Sequence, residues 1–112
     1  HRDLHSFPTR RSSDLWKHRI PYNVSKAGVM QLTKALAREL APDITVNSVC
    51  PGEIEMPGEP AADSSQISLE RIPMRRLGSN DDVFSAVYFF ATCSDYITGQ
   101  NLTVDGGYHD AR

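Results

Sequence analysis

Between Tyr22 and Ala41, apolar residues recur at Val29, Leu32, Leu36 and Leu40, steps of three and four that trace one face of an α-helix. Ala27, Ala35 and Ala37 widen that face with small side chains. So broad a surface predicts a helix covered on two sides, by a sheet below and a partner helix above, and Pro42 and Asp43 mark its end. The run from Ile44 to Cys50, ITVNSVC, is rich in β-branched residues and alternates only weakly, the pattern of a strand covered on both faces. Pro51-Gly52 closes it. From Glu53 to Ser68 the chain turns polar with several Pro and Gly, and reads as a long loop or short helices with the character of a lid.

The second half repeats the alternation of types. Ser79 followed by Asp82 matches a capping box, Asp81 and Asp82 suit the positive end of a helix dipole, and Val83, Val87 and Phe90 continue on one face to about Thr92. Gln100 to Val104, QNLTV, alternates as a strand and stops at Asp105-Gly106-Gly107. The predicted order is helix, strand, lid, helix, strand. Two strands separated by a helix of this length require a right-handed parallel crossover, so the fold class is α/β. Phe84, Tyr88, Phe89 and Phe90 are expected in core and subunit contacts, Cys50 as a small buried residue, and Asn47 in a structural role.

Composition narrows the function classes. The 112 residues allow one small domain. With 12 Lys and Arg against 14 Asp and Glu the net charge is -2, which offers no electrostatic attraction for nucleic acid or an anionic membrane. Two distant cysteines, Cys50 and Cys93, make neither a disulfide framework nor a zinc motif and suit a reducing cytoplasm. His18 and His109 have no partner at metal-ligand spacing, so no metal is expected. No apolar run approaches the roughly 20 residues that span a bilayer.

The first fifteen residues lack apolar periodicity. Within them HSFPTRRSSDL, His5 to Leu15, resembles the translation of a widely used sequencing adapter, so residues 1–15 are read as a non-native, assembly-derived tail and the domain as residues 16–112. Without Arg2, Arg10, Arg11, Asp3 and Asp14 the remainder carries 9 basic and 12 acidic residues.

Chemistry concentrates in IPYNVSKAG, Ile20 to Gly28. Tyr22 and Lys26 lie four residues apart and therefore share a helix face. A positive charge beside a phenol stabilises the phenolate, the form that takes a proton from an alcohol. The same spacing also occurs as an exposed helix pair without function, and context decides between the two.

That context resembles the short-chain dehydrogenase/reductase family from Trp16 to Tyr108. YNVSKAGVMQLTKALARELAP is similar to the family's active-site helix, ITVNSVCPG to its following strand and turn, and IPMRRLGSNDDVFSAVYFFATCSDYITGQNLTVDGGY to its C-terminal helix and last strand. The resemblance implies a Rossmann-like, doubly wound parallel sheet and an oxidoreductase dependent on NAD or NADP. In it Tyr22 exchanges a proton with the substrate oxygen, and Lys26 supports the phenolate and binds the nicotinamide ribose. Tyr22, Lys26, Pro51, Gly52 and Ile54 line the cofactor, with the Ile54 backbone at the carboxamide. Met56 stands where many members have a threonine. The family's glycine-rich pyrophosphate loop and its active-site serine and asparagine find no match here, so the chain reads as the C-terminal part of a longer enzyme, inactive alone. Within the family it is most similar to the carrier-protein-linked 3-oxoacyl reductases, with sugar or polyol dehydrogenases as the alternative. Expected partners are a small carbonyl or alcohol substrate and further copies of the parent chain. A different class, a non-catalytic association module, also accommodates the helices present.

Overall fold

A computed structural model describes residues 20–58 and 69–108. Within them the chain forms α1 (Ile20–Leu40), β1 (Ser48–Pro51), a 3-10 turn at Leu69–Arg71, α2 (Asn80–Thr92) and β2 (Asn101–Val104). This is the order predicted from periodicity. The adapter-like tail, Trp16, His18, His109 and residues 59–68 of the expected lid lie outside the described residues.

β1 and β2 pair in parallel, with Ser48 opposite Asn101 and Pro51 opposite Val104. The first strand is shorter than predicted, because residues 44–47 do not join the ladder. Groups from the loop before β2 bind that stretch instead. Val46 N–H donates to Thr98 Oγ1 at 3.0 Å, Asn47 Nδ2 to the Ile97 carbonyl at 3.3 Å, and Gln100 N–H to Asn47 Oδ1 at 3.0 Å. Asn47 thus has the structural role expected of it.

α1 carries Pro21 in its first turn, where a missing N–H has no intrahelical acceptor to leave unsatisfied. It ends where the Asp43 and Ile44 N–H groups both donate to the Leu40 carbonyl. Its buried residues are Thr33 and Ala37. Ala37 packs on the turn at Gly99, where a Cβ would lie 3.3 Å from the Ala37 methyl and where φ is +73°. The expected burial of α1 on two sides is not found: Val29 and Leu32 are 53% and 55% exposed. Two strands about 5 Å apart make a sheet narrower than one helix with its side chains, about 10 Å across. α2 packs over both strands. The core expectation also fails on α2, where Phe84, Tyr88 and Phe89 are exposed, although Phe90 is half-buried and Ala86 is buried. Cys50 is half-buried rather than buried.

The start of α2 is built as its sequence predicts. Ser79 is the N-cap: its Oγ accepts from Asp82 N–H at 3.3 Å, and the Asp82 carboxylate accepts from Ser79 N–H at 2.8 Å. Arg76 closes on the same carboxylate with bonds of 2.7 and 3.0 Å. The Arg76 guanidinium, followed by the Ser79 N–H and hydroxyl, holds the Asp82 carboxyl well below the usual carboxylate range. A carboxyl whose folded-state pKa is lowered stabilises the fold fully above its unfolded value, about 4, and loses that contribution as pH falls below it toward the folded value. We therefore expect acidification below about pH 4 to lower the melting midpoint more in the native chain than in an Asp82→Asn variant. Parallel pH profiles for the two proteins would contradict this cap.

Candidate active site

Tyr22 lies half-buried in the second half of α1's first turn, and Lys26 is exposed one turn later. The helix spacing does bring them together: Lys26 Nζ stands 5.5 Å from the centroid of the Tyr22 ring. The ammonium therefore sits over the ring face, a cation–π contact, with no hydrogen bond to the hydroxyl. The Tyr22 carbonyl also accepts from Ser25 Oγ at 2.7 Å.

The other predicted residues follow β1. Because the strands are parallel, Pro51–Ile54 and Asp105–Gly107 share the carboxyl end of the sheet, the end at which open α/β sheets bind ligands. Gly52 N–H donates to the Val104 carbonyl at 2.9 Å. A Cβ on Gly52 would fall 2.5 Å from Asp105 Cβ and 2.8 Å from Asp105 Cα. The neighbouring turn thus leaves no room for a side chain at Gly52.

Ile54 forms an isolated parallel bridge with Gly78. Gly78 N–H donates to the Glu53 carbonyl, and Glu55 N–H to the Gly78 carbonyl, each at 2.9 Å. Successive peptide groups in extended chain point to opposite sides. The N–H and C=O of Ile54 itself therefore face away from Gly78, and neither takes a backbone partner among the described residues. Met56 is 56% exposed. No hydrogen bond, ion pair or ring contact joins Tyr22 or Lys26 to Pro51, Gly52 or Ile54, so the two halves of the predicted site are held by separate elements. A cavity of about 270 Å³ opens between Met74, Arg76, Asp82 and the strand end at Val104–Gly106, and contains none of the predicted residues. Among the described residues no group of three or more His, Cys, Asp or Glu could hold a metal, and no helix is long and apolar enough to cross a membrane.

Sequence reasoning missed Gly78, whose importance comes from a partner 24 positions earlier. The only local signal was its place immediately before the capping serine of α2.

A parallel α/β unit of this kind is the architecture of the doubly wound proteins. A sequence profile described as Enoyl-(Acyl carrier protein) reductase matches residues 9–109. The chain is 45% identical over 92 residues to the 3-oxoacyl-(acyl-carrier-protein) reductase FabG of Staphylococcus epidermidis, covering 79% of this chain and 38% of that protein. It is 41% identical to Nodulation protein G of Azospirillum brasilense, over 77% of this chain and 37% of that one. Among solved structures, a C-terminal deletion mutant of Thermoplasma acidophilum aldohexose dehydrogenase aligns with a TM-score of 0.70 at 35% identity, over 81% of this chain and 46% of that one. The chain belongs to the short-chain dehydrogenase/reductase family, and it spans well under half the length of the relatives it matches.

Proposed function

We propose that residues 16–112 are the C-terminal part of an NAD(P)-dependent oxidoreductase that interconverts a carbonyl and an alcohol, most similar to a 3-oxoacyl-carrier-protein reductase. The observation that carries this reading is the Tyr22 and Lys26 contact at the start of α1, in a chain of this family. The similarity to FabG favours a 3-oxoacyl thioester as substrate.

In this reading the Tyr22 hydroxyl donates its proton to the substrate carbonyl oxygen during reduction and recovers it from the alcohol during oxidation. The cofactor, when bound, supplies or accepts the hydride at the same carbon. The donor set fits the nicotinamide end of such a cofactor. Ile54 presents one donor and one acceptor side by side, the complement of a primary carboxamide, and the Lys26 ammonium is free to donate to ribose hydroxyls. Pro51 and Gly52 set the exit of β1 that carries Ile54 to this place. The pyrophosphate and adenosine would be held by the part of the parent that this chain does not match, so the 112 residues alone are inactive. Two free cysteines suit a cytoplasmic enzyme, and the exposed apolar faces of α1 and α2 suit an oligomeric parent.

The test is to recover the upstream coding sequence and assay the longer protein with a 3-oxoacyl thioester and an aldose, each with NADH and NADPH. Reduction of the thioester is expected. Turnover of the sugar alone would move the assignment to the sugar dehydrogenases. A genuine start near Trp16, with no glycine-rich strand-turn-helix before it, would favour the association module.

A further inference from the structure

We propose that Gly78 is a positioning residue for cofactor binding: by pairing with Glu53–Glu55 it fixes the direction in which the Ile54 N–H and C=O point. The inference rests on the reading of Ile54 as the carboxamide contact and extends it to a residue 24 positions away.

The exit of β1 has no regular structure of its own after Pro51, so its course depends on what it meets. Its first support is the contact of Gly52 with Asp105. Its second is Gly78, through the two bridge hydrogen bonds that use Glu53 C=O and Glu55 N–H. Those bonds decide the face on which Ile54 shows its own peptide groups. Rotating the segment out of the bridge would turn the Ile54 pair with it.

Gly78 can act as a support because it is itself held on both sides. Toward the C-terminus, Ser79 caps α2, and Arg76 grips Asp82 while donating to the Leu77 carbonyl at 3.0 Å. Toward the N-terminus, Ile72 is only 2% exposed, and Met74 N–H donates to the Gly106 carbonyl at 3.1 Å. Gly106 and Gly107, at φ of +64° and +86°, let this stretch lie on the turn after β2: a Cβ on Gly106 would meet Ile72 Cγ2 at 3.0 Å, and one on Gly107 would meet Pro73 Cγ at 3.1 Å. Residues 72–79 thus form a strap tied to the end of β2 and to the start of α2, and Gly78 is the point where the strap touches the proposed cofactor segment.

The contact also explains why glycine stands here. A Cβ at Gly78 would fall 2.5 Å from Ile54 Cδ1, while the next atoms, Glu53 O and Asp82 Oδ2, lie at 3.5 and 3.9 Å, ordinary contact distances. The obstacle to a side chain is therefore the terminal methyl of Ile54, which must leave its rotamer to make room, and removing that methyl should remove the cost. This gives a rescue experiment on the chain as it stands.

Amide hydrogen exchange measured by NMR on the 112-residue protein should show Glu55 and Gly78 protected and Ile54 exchanging freely. In Gly78→Ala the Glu55 amide should exchange roughly 3- to 10-fold faster, the cost of displacing the Ile54 methyl and the sign that the bridge opens. In Gly78→Ala with Ile54→Val, which lacks Cδ1, protection should return to within about twofold of the native chain. Titration with NADH to tens of millimolar should shift the Ile54 amide resonance in the native chain and in the double variant, and leave it unmoved in Gly78→Ala. Unchanged Glu55 exchange in Gly78→Ala, or no recovery in the double variant, overturns the positioning role whatever the cofactor does. Exchange that behaves as expected while NADH leaves native Ile54 unmoved overturns instead the reading of Ile54 as the carboxamide contact, and the positioning role with it.

Discussion

Replacing Tyr22 with Phe in the longer protein should lower turnover by ~10²-fold or more, the range that a positioned general acid contributes. The structure makes this substitution unusually clean. Lys26 contacts the Tyr22 ring, not its hydroxyl, at 5.5 Å from the centroid, so a phenylalanine ring offers the same surface to the ammonium. The hydroxyl itself makes no hydrogen bond among the described residues, so its removal leaves no partner unsatisfied. The melting midpoint should therefore stay within the scatter of neutral surface substitutions, about 0.5 kcal/mol in stability, while catalysis collapses. Retention of near-normal turnover would refute the role of Tyr22. A large loss of stability would show instead that the hydroxyl has a structural partner. Lys26→Ala tests the other half of the pair: activity should fall as the ammonium over the Tyr22 ring is lost.

How far the sequence reveals these features depends on the range over which each is determined. The capping box of α2 is set by residues three apart, and Ser79 and Asp82 could be recognised without any knowledge of the fold. The Tyr22 and Lys26 contact is set by four residues of helix and was equally visible. The start of β1 was not, because Ile44 to Asn47 have the β-branched composition of a strand while the Val46 N–H and the Asn47 side chain are taken by Ile97, Thr98 and Gln100, fifty or more residues away. Composition reports what a residue would tolerate, and here distant groups of the loop before β2 decided what it does. The apolar faces of α1 and α2 show the same limit in reverse. Val29, Leu32, Phe84 and Tyr88 have the periodicity of buried residues yet remain exposed in a unit with two strands. The relatives that the chain matches are more than twice as long. Glycines are the least legible of all, since Gly28, Gly52 and Gly78 look alike in a sequence and differ only in what stands opposite them.

That difference yields the second large effect. Gly52→Ala should destabilise the described unit by about 3 kcal/mol, the upper end of the usual cost of overfilling a packed site. No left-handed backbone is involved at Gly52, so the cost is steric alone. The new methyl would lie 2.5 Å from Asp105 Cβ and 2.8 Å from its Cα, and neither atom can rotate aside without moving the main chain of the turn after β2. The strain falls where Gly52 N–H closes the parallel pair on Val104 O at 2.9 Å, so the last ladder bond is at risk as well, a net contribution of about 1 kcal/mol. Gly28 supplies the control, because a Cβ there meets nothing within 4 Å. Gly28→Ala should be neutral or stabilise α1 by about 0.5–1 kcal/mol, the ordinary gain from replacing a helical glycine. Urea denaturation of the two variants beside the native chain measures both. A Gly52→Ala midpoint equal to the native one would mean that the exit of β1 does not pass against Asp105, and a Gly28→Ala loss comparable to that at Gly52 would mean that the glycine face of α1 is covered in solution.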